Sequence, residues 1–155
     1  MELGMKKWFW SVFFLYCVTA VAILLLGRTP DTALSVRDYF VLKANPVPFR
    51  TMCRYVSFLL ARRDFYSFSL FISNVGGNLL LFLPMGFLLP VLFSEMRICG
   101  RCFAALALTV LSAELLQGFL RVGIPDADDL LLNLAGGRIG FLLSQKLNFC
   151  GRTVS

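Results

Sequence analysis

The chain has 155 residues, of which 58% are hydrophobic and 15% charged, against roughly a quarter charged in soluble domains. With a mean hydropathy of +0.77, a bilayer rather than water is the expected solvent for most of its surface, and the length suits a single membrane domain over 1–155. The net charge of +6 is scattered instead of gathered into one stripe, which argues against nucleic acid as a partner, and with no histidine neither a Ser/His/Asp triad nor a histidine-zinc site is possible.

In chain order, the first element is an apolar run from Trp8 to Gly27, bounded by Lys7 and Arg28. It is long enough to cross the roughly 30 Å of hydrocarbon as a helix. The nominal small-residue cleavage site Ala20-Val21-Ala22 falls in mid-run, with four more apolar residues to follow, so the segment reads as an uncleaved anchor. Arg28 to Ser73 forms a long loop in which Asn45-Pro46-Val47-Pro48-Phe49 forbids a continuing helix. The second half of this loop, Tyr55 to Leu60 and Phe65 to Ile72, is aromatic and apolar around Arg62-Arg63-Asp64, a pattern suited to the bilayer interface.

A second span is expected over 74–93, interrupted by Pro84 and Pro90, which lipid tolerates when neighbours satisfy the freed carbonyls. A short polar loop from Glu95 to Arg101 leads to a third span over 102–120, whose one charge is Glu114. The fourth and shortest is expected over 129–145. The fold class is thus all-α: a polytopic membrane helix bundle of about four transmembrane helices, with an interfacial segment in the first loop. Four spans put both termini on one side. That side would hold Lys6, Lys7, Arg97, Arg101, Lys146 and Arg152, fewer cations than the other, so the charge bias gives no support to cytoplasmic termini.

The five cysteines are odd in number, and Cys17 lies in an apolar run, which excludes a secreted disulfide framework. Cys99 and Cys102 have C-x-x-C spacing but no second pair to complete a zinc site, and read as reduced loop thiols. No metal and no cofactor is implied.

Three spans each carry a polar stripe at helical spacing: Asn74 and Asn78 on the second, Glu114, Gln117 and Arg121 on the third, Asp129 and Asn133 on the fourth. Gly136, Gly137 and Gly140 continue the last of these. Polar groups facing lipid cost free energy, so the stripes should turn inward. Two readings are open: amide contacts that hold helices together, or a polar pocket open to one membrane face. Asp126 and Asp128, which follow Pro125, have a structural reading of their own as the N-cap and first-turn carboxylates of the fourth span. The candidate pocket therefore comprises Asn74, Asn78, Glu114, Gln117, Arg121, Asp126, Asp129 and Asn133. At ~1.5 Å per residue Glu114 and Arg138 lie at similar depths, so an ion pair between them is expected.

Taken together, Asn74-Val-Gly-Gly-Asn78, Phe82-Leu-Pro84-Met-Gly86-Phe87, Glu114-x-x-Gln117 and Asp126-Ala-Asp-Asp129-Leu-Leu-Leu-Asn133 with Gly136, Gly137 and Gly140 resemble the VanZ-like family. Asn45-Pro-Val-Pro48-Phe49 matches an element of that family's first loop, whereas Arg138 departs from its pattern. The resemblance implies a small multi-span membrane protein with cytoplasmic termini, associated with low-level resistance to the glycopeptide teicoplanin, and it supplies no reaction.

Three functions are then in view. The first is an accessory protein that alters how the envelope presents itself to glycopeptides. The second is an enzyme or carrier for a polar lipid-linked or anionic envelope substrate, using Glu114, Arg121 and Asp129. The third is a structural role in which Gly136, Gly137 and Gly140 bind a partner. Membrane lipids are partners under all three, and the sequence does not fix an oligomeric state.

Overall fold

A computed structural model describes residues 3–26 and 29–147, with side chains placed for all of these except Leu3 and Met5. The end of the first expected span at Gly27, together with Arg28, Cys150 and Arg152, lies outside the described residues. The elements are α1 (Leu3–Leu25), α2 (Val36–Lys43), α3 (Arg50–Arg62), α4 (Phe65–Leu92), a 3₁₀ turn (Ser94–Arg97), α5 (Cys99–Leu120) and α6 (Ala127–Lys146). Among the described residues no strand forms, and the one bridge of β type joins Asn45 to Asp126.

Within α1, α4 and α5, three helices are long and apolar enough to cross a membrane. The fourth expected span, α6, has 20 residues and thus the length. It differs in composition, carrying Asp128, Asp129 and Arg138, and it makes its largest interface along α4 instead of facing lipid all round. Glycine sets that interface. A Cβ at Gly136 or Gly140 would collide with the α4 carbonyls of Leu79 or Leu83, and one at Gly86 with the carbonyl of Gly137. The two backbones therefore touch, as small residues permit between helices in lipid. The glycine face expected to be free for a partner is consumed inside the chain, because Gly136, Gly137 and Gly140 are all buried.

The second span differs from expectation in length. Instead of starting at Asn74, α4 begins at Phe65 and runs unbroken for 28 residues, so Phe65 to Ile72 is the first part of a helix long and apolar enough to span and not a separate interfacial piece. Asp64 starts it by accepting a hydrogen bond from the Ser67 N–H at 2.8 Å. Neither proline ends the helix. Pro84 has no N–H to offer and crowds the preceding turn, where the Tyr16 hydroxyl of α1 donates to the Leu81 carbonyl at 2.9 Å. Arg97 Nε donates to the Pro90 carbonyl, in the last turn of α4 where no helical donor follows, at 3.4 Å.

The first loop holds two helices. In α2, the Ser35 hydroxyl accepts from the Asp38 N–H at 3.1 Å and donates to the Asp38 carboxylate at 2.7 Å, a reciprocal cap. The helix stops before Asn45-Pro46. α3 follows Pro48 and buries none of its residues; Met52, Val56, Leu59 and Leu60 share one side at helical spacing, Arg50, Arg54 and Ser57 the other.

Packing is uneven along the bundle. Near the chain termini, Phe9 of α1 packs with Leu88, Val91 and Leu92 of α4, and Leu89, Cys102, Leu106 and Phe141 join α4, α5 and α6. Cys102 is therefore a core residue in the first turn of α5, not a loop thiol, while Cys99 is exposed. The opposite end of the bundle is polar.

Candidate functional site

At that polar end the helices part around a cavity of about 1100 Å³. The seven residues of the inward stripes line it, and Asp126 with them. Asn74 and Asn78 come from α4, Glu114 and Gln117 from α5, and Arg121 from the turn that ends α5. Asp126, Asp129 and Asn133 come from α6 and its cap. Each pair recurs at three or four residues, so each helix presents one edge to the same space.

Several of these side chains are fixed by neighbours. Asn78 Nδ2 donates to Asp129 Oδ1 at 2.5 Å, joining α4 to α6 across the cavity wall. The buried Gln117 donates to the Leu24 carbonyl at 2.8 Å, tying α5 to the end of α1. Arg121 has a left-handed backbone with φ of 58°, a conformation that disfavours side-chain-bearing residues. The conformation lets its N–H and that of Val122 satisfy carbonyls of the last turn of α5. Its guanidinium donates to the Leu34 carbonyl at 2.7 Å through Nη1, while Nε is buried without a partner. Asn133, only 2% exposed, likewise keeps Oδ1 buried and unpartnered at the cavity wall.

The roof of the cavity is the α2–α3 segment, and the acidic cluster holds it there. Asp126 Oδ1 caps its own helix through the Asp128 N–H at 2.9 Å. The same carboxylate accepts from Thr51 Oγ1 at 2.5 Å and from Asn45 Nδ2 at 3.2 Å. Asn45 also exchanges backbone hydrogen bonds with Pro125 and Ala127, both at 2.9 Å. Asp128 is fully buried and turns away from the cavity. It accepts from the Phe49 N–H and from the Met52 N–H, the latter at 2.8 Å, and so caps α3 from another part of the chain. Phe49 itself, with φ of 65°, offers no side-chain cap. The expected capping of the fourth helix describes Asp126 in part, whereas Asp128 caps α3 and not its own helix.

Charge is mixed around the cavity. Lys43, Arg50, Arg54 and Arg121 line it together with Asp31, Glu114, Asp126 and Asp129. Lys43, Arg50 and Arg54 are exposed at its mouth. Among the described residues no group of Cys, Asp and Glu is placed to hold a metal ion.

The model of the VanZ/LLP1 family matches residues 12–148. The chain belongs to the VanZ/LLP1 family. No curated protein and no solved structure matches it. The matched stretch takes in every cavity-lining helix edge of this VanZ/LLP1 protein, together with the roof.

Reading the sequence missed most of the roof. Tyr39, Lys43, Arg50, Thr51, Arg54 and Tyr55 line the cavity, though the sequence shows them only as residues of a long loop. The available signal was the four-residue spacing of Arg50 and Arg54, which puts both on one face of any helix formed there. Arg138 is the opposite case. It lies nine positions beyond Asp129, which at about 100° per residue is half a turn round α6. Arg138 is accordingly exposed, on the side away from the cavity that Glu114 lines. Reasoning from depth alone took no account of the side of α6 on which Arg138 lies, and its position away from the cavity speaks against the expected Glu114–Arg138 ion pair.

Proposed function

We propose that this VanZ/LLP1 protein is a multi-pass protein of the cell membrane whose polar cavity binds the headgroup of an envelope lipid or lipid-linked envelope precursor. That binding alters how the envelope presents itself to glycopeptides such as teicoplanin. The observation that carries the reading is the convergence of Asn74, Asn78, Glu114, Gln117, Arg121, Asp126, Asp129 and Asn133 on one cavity of about 1100 Å³. Contacts that served only to hold helices together would leave a closed, dry bundle. A cavity of this size, walled by amides, carboxylates and a guanidinium, suits hydrogen bonding to a phosphate or polyol.

Charge placement supports the same reading. With four spans and cytoplasmic termini, the cavity opens toward the outer leaflet, and the side richer in Arg and Lys is then the wrong one for the positive-inside rule. Cations at the cavity mouth, Lys43, Arg50 and Arg54, have a different employment there: attraction of anionic headgroups.

A second reading, catalysis on such a substrate, draws on Glu114 and Asp129 standing on the wall of the same cavity as Arg121. One carboxylate would serve as acid or base while the guanidinium holds the anion.

The test is expression in a teicoplanin-sensitive host of the wild-type chain, Asp129→Asn and Arg121→Ala at matched membrane levels. Wild type is expected to lower susceptibility and both variants to lose the effect. Unchanged susceptibility with the wild type removes the glycopeptide part. Envelope lipid profiles separate binding from catalysis: a composition change that needs Glu114 or Asp129 identifies an enzyme, and an unchanged profile with the phenotype retained identifies a binder.

A further inference from the structure

A second cavity, of about 400 Å³, lies between α1 and α4 beside the polar one. Asn78 and Leu24 line both, so the two spaces share a wall. The second space is mainly apolar in its residues, among them Ala20, Ile23, Leu80 and Pro84.

Its origin is in the sequence of the two helices. α1 and α4 meet closely where Phe9 packs on Leu88, Val91 and Leu92. Further along, the facing positions become small: Ala20 on α1, Ser73 and Gly77 on α4. A Cβ at Gly77 would meet nothing within 4 Å, which distinguishes this glycine from Gly136 and Gly140, whose missing Cβ lets backbones touch. The groove is also open to the side, since Leu80 on its edge is 67% exposed. From Ser73 to Pro84 it follows α4 for eleven residues, or ~16 Å. That is about half of the ~30 Å hydrocarbon thickness, the depth of one leaflet.

We propose that this groove seats one acyl chain of an anionic glycerophospholipid whose headgroup enters the polar cavity past Asn78. The proposal rests on the headgroup-binding reading of that cavity and names the lipid class. One-leaflet depth fits an acyl chain, whereas a long polyprenyl chain would overrun it. The negative charge of the phosphodiester is complemented by Lys43, Arg50 and Arg54 at the cavity mouth. Continuity through Asn78 is what lets a single molecule occupy both spaces: the Asn78 amide, already bonded to Asp129, stands in the shared wall where the headgroup passes sideways from the groove into the polar cavity.

The experiment uses the full chain in phosphatidylcholine nanodiscs doped with phosphatidylglycerol that carries a diazirine midway along one acyl chain. After irradiation, adducts are mapped by mass spectrometry. The expected result is labelling concentrated on the Tyr16–Leu24 and Ser73–Pro84 segments, about tenfold above the same label carried on phosphatidylcholine. Gly77→Phe fills the groove and should reduce those adducts to background. Ala20→Leu serves the same purpose if Gly77→Phe does not fold. Three outcomes overturn the proposal: adducts spread evenly over outward residues beyond those segments, such as Phe14, Leu15 and Leu108, adducts undiminished in the groove-filling variant, or equal labelling from both headgroups. Binding of water-soluble glycerol phosphate to the wild type is measured in parallel. Its absence defeats the headgroup reading of the polar cavity, while its retention in Gly77→Phe shows that the groove alone was blocked.

Discussion

The side-chain amide of Asn78 on α4 holds Asp129 of α6 at 2.5 Å, in a bundle whose two closest helices otherwise meet through glycine and carbonyl. The pair is a polar clamp at the point where tight packing gives way to open cavity. Removing its donor exposes a carboxylate to an incompletely solvated wall. Asn78→Ala is expected to destabilise by about 1–3 kcal/mol, read from denaturant unfolding in detergent. A double-mutant cycle with Asp129→Ala should return a coupling of at least ~0.6 kcal/mol, the average for interhelical hydrogen bonds in lipid. A coupling of zero would mean that the contact contributes nothing.

Asp128 predicts a defect at a distance. Its carboxylate satisfies the N–H groups of Phe49 and Met52, and α3 has no other cap at that end. Asp128→Ala should cost about 1–3 kcal/mol for each orphaned donor. It should also raise amide exchange specifically over 49–55 while α4 to α6 stay protected. Uniform loss of protection would show instead that the roof and the bundle unfold as one.

The glycines separate into two classes. Gly136→Ala and Gly140→Ala push a Cβ into an α4 carbonyl and should each destabilise by at least about 1–3 kcal/mol, the usual range for overpacking. Gly77→Ala meets open space and should be neutral or gain about 0.5–1 kcal/mol from helix propensity. Thermal unfolding of the three variants in one detergent decides the matter, and equal losses would contradict the assignment.

Arg138 and Glu114 should behave independently. Arg138→Ala, at an exposed position, is expected to change stability by less than about 0.5 kcal/mol. Its effect should add to that of Glu114→Gln within about 0.5 kcal/mol. Coupling well above that would restore the ion pair.

Asp64 gives a pH dependence outside the spanning segments. The Ser67 side chain beside it and the hydrogen bond from the Ser67 N–H hold its carboxyl below the usual carboxylate range. A depressed folded-state value favours the ionised, folded form, so its contribution is present above the ordinary carboxylate value and is lost as pH falls through the depressed one. Exchange at the Ser67 amide should therefore accelerate as pH drops below about 4, relative to its intrinsic rate. Asp64→Ala should show fast exchange at every pH.

What the sequence discloses and what it hides follow from the range of the interactions. Helical spacing alone brought Asn74 together with Asn78, Glu114 with Gln117, and Asp129 with Asn133, because neighbours on one helix face are a local property. Lipid then dictates that such faces turn inward. The roof was hidden because it depends on contacts between residues 81 apart in the chain, Asn45 and Asp126. Nothing in Arg50 to Arg62 announces that its N-terminus will be capped by Asp128. The start of α4 was misplaced for a different reason: Phe65 to Ile72 is amphiphilic enough for an interface, and only the Asp64 cap and continuous hydrogen bonding show that it belongs to the following helix. Arg138 shows the limit of reasoning from depth without azimuth.

The roof also imposes an order on how the chain matures. Asn45, Thr51, Phe49 and Met52 leave the ribosome long before Asp126 and Asp128 exist to receive them. Throughout the insertion of α4 and α5, α3 has no carboxylate at its head and can be held over the future cavity only by its packing against α4. Completion of the site is thus timed by the synthesis of the last helix: a nascent chain stopped at Leu120 would contain half of the eight polar wall residues and neither of the carboxylates that fasten the roof.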